Sequence, residues 1–419
     1  MLKFAILFCL IYATTGSIAY SAEAEWMRLN QEAAVLREQG QDEKGIAVAK
    51  KALQLAEQSL GTDHLDVATI LNTLGLLYAN KNQVETEPVF KRALTIRTKT
   101  LGPEHPEVAP ILNNLAALYE GRGQDKQAEP LYQRALTIRE KAFGSEHLEV
   151  ATSLNNLARF YDYWGKEAQA EPLYRRALAI REKALGLQHP EVAMVLNNLA
   201  LLHHERGQYA QAEGLYKRVL AIHEKAFDPS YPEKTTAFNV LRTFRGCGYC
   251  LEWGDINLAI SLGNLARLYE SRGQDEQAAP LYERALTIRE KAMGADNKHI
   301  DSNLVYLLAL YYRQNNSAKA IPLSQRSLAI WEKWVGPDHP QVATRLSGLA
   351  DLYSKQGQFA QAEPLYKRAL MIREKAQSPD HSKVAPILLK LAEIYNKTGR
   401  EAEAHVLEKR AATIQTLPR

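Results

Sequence analysis

From residue 107 to residue 142 the apolar positions recur every three to four residues, twice over, with a break between. Leu112, Leu115, Ala116 and Tyr119 fall at i, i+3, i+4 and i+7, one stripe of a helix. Gly123-Gln124-Asp125 interrupts it. Ala128, Leu131, Tyr132, Ala135, Leu136 and Ile138 then set out a second amphipathic helix, and Gly144 stands where a helix-terminating glycine belongs. The pattern restarts after His147 and again after His189, with a step of 42 residues that Tyr132, Tyr174 and Tyr216 mark. A fixed period of this size predicts a solenoid, because one helix pair cannot bury its apolar stripe alone and must do so on its neighbours.

Carried along the chain, the pattern gives about nine helix pairs. They cover 25–60 in degenerate form, then 66–100, 107–143, 149–185 and 191–227, and, after an interruption, 256–293, 301–335, 341–376 and 384–416. The last helix is the more polar, as a solvent-facing cap requires (Glu401, Glu403, His405, Glu408, Lys409, Arg410). Proline recurs early in the second helix of a pair (Pro88, Pro130, Pro172, Pro280, Pro322, Pro364), where a missing N–H costs least. The organisation read from this is a signal peptide at 1–22, an N-terminal array at 24–228, an insert at 229–257, and a C-terminal array with its capping helix at 258–416.

The first residues differ in kind. Met1-Leu2-Lys3 is followed by an almost wholly apolar run to Tyr12, then by small residues, with Ala19-Tyr20-Ser21 and Ala22-Glu23-Ala24 as candidate cleavage sites. This predicts an extracytoplasmic protein, periplasmic or secreted, with no membrane span once the signal is removed. The net charge is only +4 and acids and bases alternate along the helices, so no basic block points to nucleic acid. No P-loop, dinucleotide fingerprint, H-E-x-x-H or G-x-S-x-G motif is present. The expectation is a non-enzymatic protein with no cofactor.

The residues Leu115-Ala116, Tyr119, Ala128, Tyr132 and Ala135, with the phrases HPEVA, LNNLA, RGQ, AEPLYKRAL and IREKALG, resemble the tetratricopeptide repeat in its 42-residue kinesin-light-chain-type form. The resemblance runs from about residue 24 to 416. It implies an all-α, right-handed superhelical solenoid of antiparallel helix pairs. It also implies a peptide or protein partner held along the concave side, which the first helix of each pair lines. The partner and the oligomeric state are not legible.

The positions opposite the packing stripe of a first helix are Pro110, Asn113, Ala117 and Glu120. Stepped by the repeat, Asn113 becomes Asn72, Asn155 and Asn197. An amide ladder is suited to a peptide backbone, and equally to a hydrogen-bond ladder between repeats. Specificity is expected where the repeats differ, as at Arg159 and Asp162, at Leu201 and His204, and at Arg267 and Glu270. Tyr163-Trp164 and Trp331 with Trp334 are aromatic anchor candidates, with packing at helix ends as the alternative. His64, His105, His147, His189, His299, His339 and His381 each precede a first helix, one per repeat. A row of that kind cannot converge on a metal, so they read as turn and cap residues. Cys247 and Cys250 form a C-x-x-C in the insert, open to a disulfide, free thiols or a redox pair, though no strand precedes them as a redox motif requires. An interaction scaffold is the leading reading; an envelope redox protein and a self-assembling repeat protein are the alternatives.

Overall fold

The computed structural model describes residues 25–81, 83–227, 250–297, 300–376 and 382–416, with backbone alone at residues 227 and 250–255. The expected signal peptide, most of the expected insert and Cys247 therefore lie outside the described residues, and Cys250 is described without its side chain. The described residues form eighteen α-helices and no strand. The chain divides into two compact units, 1–250 and 251–419.

The first unit contains α1 (25–38), α2 (Asp42–Leu60), α3 (Leu65–Asn80), α4 (Thr86–Leu101), α5 (Val108–Gly121), α6 (Asp125–Phe143), α7 (Leu148–Tyr163), α8 (Glu167–Leu185), α9 (Pro190–Glu205) and α10 (Tyr209–Phe227). The second contains α11 (Cys250–Ser271), α12 (Asp275–Met293), α13 (Asp301–Arg313), α14 (Ser317–Val335), α15 (Pro340–Lys355), α16 (Phe359–Ala376), α17 (Ala385–Lys397) and α18 (Glu401–Thr416). Where the periodicity starts the sixth pair at 256, α11 starts at Cys250; Leu251 stands one heptad before Leu258, so the stripe extends back through it.

Local chemistry sets the helix ends. The imidazole Nδ1 of His64, His105, His147, His189 and His339 accepts the N–H two residues on, at 3.2–3.3 Å, which satisfies a donor the first turn leaves unpaired. The histidine series is thus a set of caps, as its spacing predicts; His299 and His381 are outside the described residues. At the other end, Gly144 adopts φ 79° and its N–H bonds the Glu140 carbonyl at 3.0 Å. A side chain in that left-handed region would be strained.

Within each unit the two helices of a pair pack on each other, and the second helix packs on the first helix of the next pair. The stripes meet in the seams: Ala128, Tyr132 and Ala135 of α6 are buried together with Leu115 and Ala116 of α5 and with Phe160 of α7, whose ring lies 5.6 Å from Tyr132. Alanine at so many seam positions lets helices approach closely. Gly75 takes this further, since a Cβ there would meet the Phe90 ring at 2.5–2.9 Å.

Charged residues repeat with the same step and hold the register between pairs. Arg176 reaches Glu140 at 2.7 Å and the Ser145 carbonyl at 3.2 Å, and Arg92, Arg218, Arg368 and Arg410 make the equivalent ion pairs at 2.5–2.6 Å. A second series ties each second helix to the start of the following first helix: Arg97–Glu107 (3.4 Å), Arg139–Glu149 (2.7 Å) and Arg181–Glu191 (3.4 Å). Exposed pairs of the first kind contribute about 0–1 kcal/mol each. The second kind involves nearly buried guanidinium groups and is more sensitive to loss of a partner.

Candidate functional site

In the first unit α3, α5, α7 and α9 lie side by side, each touching the next. Their apolar stripes face the second helices, which leaves one face of each helix unused by packing. Ala117 of α5 and Arg159 of α7 are exposed on it, and Leu76 and Leu201 are half-buried at the same register in α3 and α9. Two turns away, Thr69 and Met194 are exposed, and Pro110 and Thr152 are half-buried. These sixteen-residue-scale helices are rigid supports, so the row of side chains is held before any ligand arrives.

A polar wall runs beside this row, and it is held from behind. Tyr132 donates its hydroxyl to Glu120 Oε2 at 2.7 Å, and Tyr174 donates to Asp162 Oδ2 at 3.4 Å. At the same register in α9, His204 meets the edge of the Tyr216 ring, with centroids 6.3 Å apart. Burial beside these carboxylates raises both the Tyr132 and the Tyr174 pKa, so the hydroxyls stay protonated as donors. Arg159 Nη2 lies 3.6 Å from Glu120 Oε2, with the arginine side chain 54 % exposed and the glutamate 12 %. Arg159 therefore spans from one pair to the next with its guanidinium edge still open to solvent.

Asp162 is the electrostatic exception. Its carboxyl is pushed up to about 6, chiefly by burial and then by the nearby Glu205; the Tyr174 bond and Arg206 act the other way. A carboxyl whose folded pKa is raised costs stability when ionised: that stability is complete below the ordinary carboxylate range and is lost as pH rises through about 6. Asp162→Asn should therefore raise unfolding stability at pH 7 by on the order of 1–3 kcal/mol, measured by chemical denaturation, and the gain should vanish near pH 4.

The asparagine row is less exposed than Ala117 and Arg159. Asn113 and Asn155 are buried, at 8 % and 7 % exposure, and Asn72 and Asn197 are half-buried. Asn114 Nδ2 donates to Asn72 Oδ1 at 2.7 Å, and Asn198 Nδ2 donates to Asn155 Oδ1 at 3.0 Å. Of the two readings the sequence left open, these two contacts are the ladder between repeats. Asn113 Oδ1 is buried without a hydrogen-bond partner.

The aromatic candidates divide. Trp164 packs on Phe160 and Tyr163, and Trp331 donates its indole N–H to Asp301; Tyr163 and Trp334 are exposed. Sequence reasoning missed the tyrosine supports of the wall. Their signal was present as an acid twelve residues before the tyrosine, at Glu120–Tyr132, Asp162–Tyr174 and Glu270–Tyr282.

No helix among the described residues is long and apolar enough to cross a membrane. None of the curated proteins matches the chain. Solved structures do. The apo form of RapI is 13 % identical over 93 % of this chain and 97 % of that one, with TM-score 0.54. A signal-transduction ATPase with a tetratricopeptide repeat sensor, from Pyrococcus horikoshii, is 17 % identical over 78 % of this chain and 44 % of that one, TM-score 0.54. BtubC from P. vanneervenii is 25 % identical over 60 % of this chain and 92 % of that one, TM-score 0.48. The tetratricopeptide repeat profiles match residues 24–86, 82–141, 111–183, 165–225, 258–301, 302–375 and 355–416. With nearly the whole chain matched and every described element a paired helix, the chain belongs to the tetratricopeptide repeat family.

Proposed function

We propose that this chain is a non-enzymatic interaction scaffold that holds a peptide or protein surface on the first-helix face of its N-terminal unit. One observation carries the reading. Ala117 and Arg159 stand open at the same register of adjacent helices, beside Glu120 and Asp162, which tyrosines fix from behind. Such a face pays little ordering entropy on binding, because its side chains are already held. It offers a flat apolar step, a cation with free donors and a partly protonated acid, which suits a mixed polar and apolar partner. Leu76 and Leu201 extend the apolar part to either side. His204 closes the wall with an aromatic, titratable group.

The location is part of the proposal. The basic start, apolar run and small residues of the first two dozen positions support export, so the partner is sought outside the cytoplasm. The test uses the full chain as bait in a pull-down from the envelope fraction, beside an Ala117→Arg/Arg159→Glu variant. Both changes are at exposed positions, so the circular dichroism spectrum and melting curve are expected to be unchanged. Loss of the partners retained by wild type is the expected result. Equal recovery by the two proteins would remove this face from the account.

A further inference from the structure

The second unit breaks one of the repeated ion pairs, and a cavity stands where it is broken. Arg289 of α12 occupies the position of Arg97, Arg139 and Arg181, each of which pairs with the glutamate ten residues on. Ten residues after Arg289 the sequence has His299, which lies outside the described residues. Arg289 Nη1 instead donates to the neutral oxygens of Ser302, at 3.3 Å, and Asn303. No carboxylate among the described residues comes within ion-pair distance of it. Burial pushes the Arg289 guanidinium below its usual pKa, as it does for Arg97, Arg139 and Arg181; what sets Arg289 apart is that its hydrogen-bond partners are neutral.

A cleft of ≈ 180 Å³, open to solvent on one side, lies between α11, α12 and α13, and the half-buried Arg289 lines it together with the exposed Arg267. Arg267 makes no ion pair or side-chain hydrogen bond among the described residues. The nearest candidate, Glu270 one turn on, is already engaged by the Tyr282 hydroxyl at 2.9 Å and by Arg313 at 2.9 Å. Gly263 opens the space: a Cβ there would meet nothing within 4 Å. The floor is aromatic, since the rings of Tyr282 and Tyr306 stack with centroids 5.4 Å apart and planes 10° from parallel, and Tyr306 is 39 % exposed.

We propose that this cavity binds a carboxylate carried on a small planar group, with the carboxylate between Arg267 and Arg289 and the ring over Tyr306. The ligand's carboxylate would supply the counter-charge that these two guanidinium groups lack. The cleft is of the order of the about 150 Å³ that holds benzene in an enclosed cavity, and its open side would leave one edge of the ring in solvent. The stacked tyrosines supply a face for it. The site is confined to the second unit, and nothing in it depends on the N-terminal face.

The test is a titration of the full chain with three probes by ligand-observed NMR and calorimetry: benzoate, benzamide and inorganic phosphate. Saturable binding of benzoate is expected, with benzamide weaker by about tenfold or more because it lacks the charge. Gly263→Leu should abolish benzoate binding by filling the cavity while leaving the melting temperature unchanged or higher, since glycine is a poor helix residue. Arg267→Gln should weaken it by about tenfold. Absence of benzoate binding, equal binding of benzamide, or benzoate binding that survives Gly263→Leu would each overturn the proposal. Phosphate binding more tightly than benzoate would overturn it too, in favour of a bare oxyanion site.

Discussion

Replacing Asp301 by alanine should cost the second unit about 3–5 kcal/mol, the range for stranding the partner of a buried charge. Asp301 is 5 % exposed in the first turn of α13, where a carboxylate also favours the helix dipole. One carboxylate oxygen accepts the Ser327 hydroxyl of α14. The other accepts the Trp331 indole N–H at 2.8 Å and an Arg345 N–H at 2.5 Å. The Arg345 guanidinium lies 5.4 Å from the Trp331 ring centroid, in cation–π contact. One side chain therefore joins helices from two successive pairs, α13 and α14 with α15. Its removal leaves a guanidinium, an indole N–H and a hydroxyl in a low-polarity seam without an acceptor. In a repeat array each interface couples only neighbours, so the loss should fall on the second unit. Hydrogen exchange resolved by segment checks this: protection should fall across α13 to α15 and hold in α5 to α8. The double variant Asp301→Ala/Arg345→Met should recover part of the loss, because the stranded charge is gone.

The second large effect is a pH dependence centred on His223. It follows Arg139 and Arg181 at the repeat step, so a histidine sits where those repeats bury a guanidinium. Burial pushes the imidazole down to about 4. Above the usual histidine pKa of about 6.5 the native and unfolded chains carry the same neutral ring. As pH falls below that, the unfolded chain takes up a proton and the native chain does not, until about pH 4. Stability that is complete at pH 7 is thus lost through this window, by on the order of 3 kcal/mol in all. Asp162 acts in the opposite sense over an overlapping range, so the wild-type curve alone mixes the two. The check is a difference: denaturation midpoints of wild type and His223→Leu at pH 7.5, 6, 5 and 4. The variant should lose less than wild type at each acidic step. Parallel curves would show that His223 is not held neutral.

The helix pairs were legible because their signal is redundant. Leu115, Ala116, Tyr119, Tyr132 and Ala135 recur on fixed faces at a 42-residue step, and Gly144 and His147 mark the joints between them. The caps followed for the same reason. The site was only half legible. Arg159 is exposed and Asp162 and His204 are half-buried, at positions that vary between repeats. The asparagines stand four residues before the open positions, about 40° around the helix, and Asn113 is buried where Ala117 is exposed. Periodicity fixes which residues share a stripe; it does not resolve burial among positions about 40° apart at the edge of one. The second-unit cavity was harder still. Its signal is a missing partner, His299 where other repeats have glutamate, combined with a missing side chain at Gly263, and neither absence means anything until the helices are placed together.

The central claim is that the first-helix face of the N-terminal unit is where a partner is held. A photo-crosslinking residue placed at Ala117 or Arg159, in cells, tests it most directly against the same residue at Thr137 or Ala179, which are exposed on the second helices α6 and α8. The account predicts a discrete crosslinked product from 117 and 159, shared between them and absent from 137 and 179. A product formed from 137 and 179 but not from 117 and 159 would contradict it.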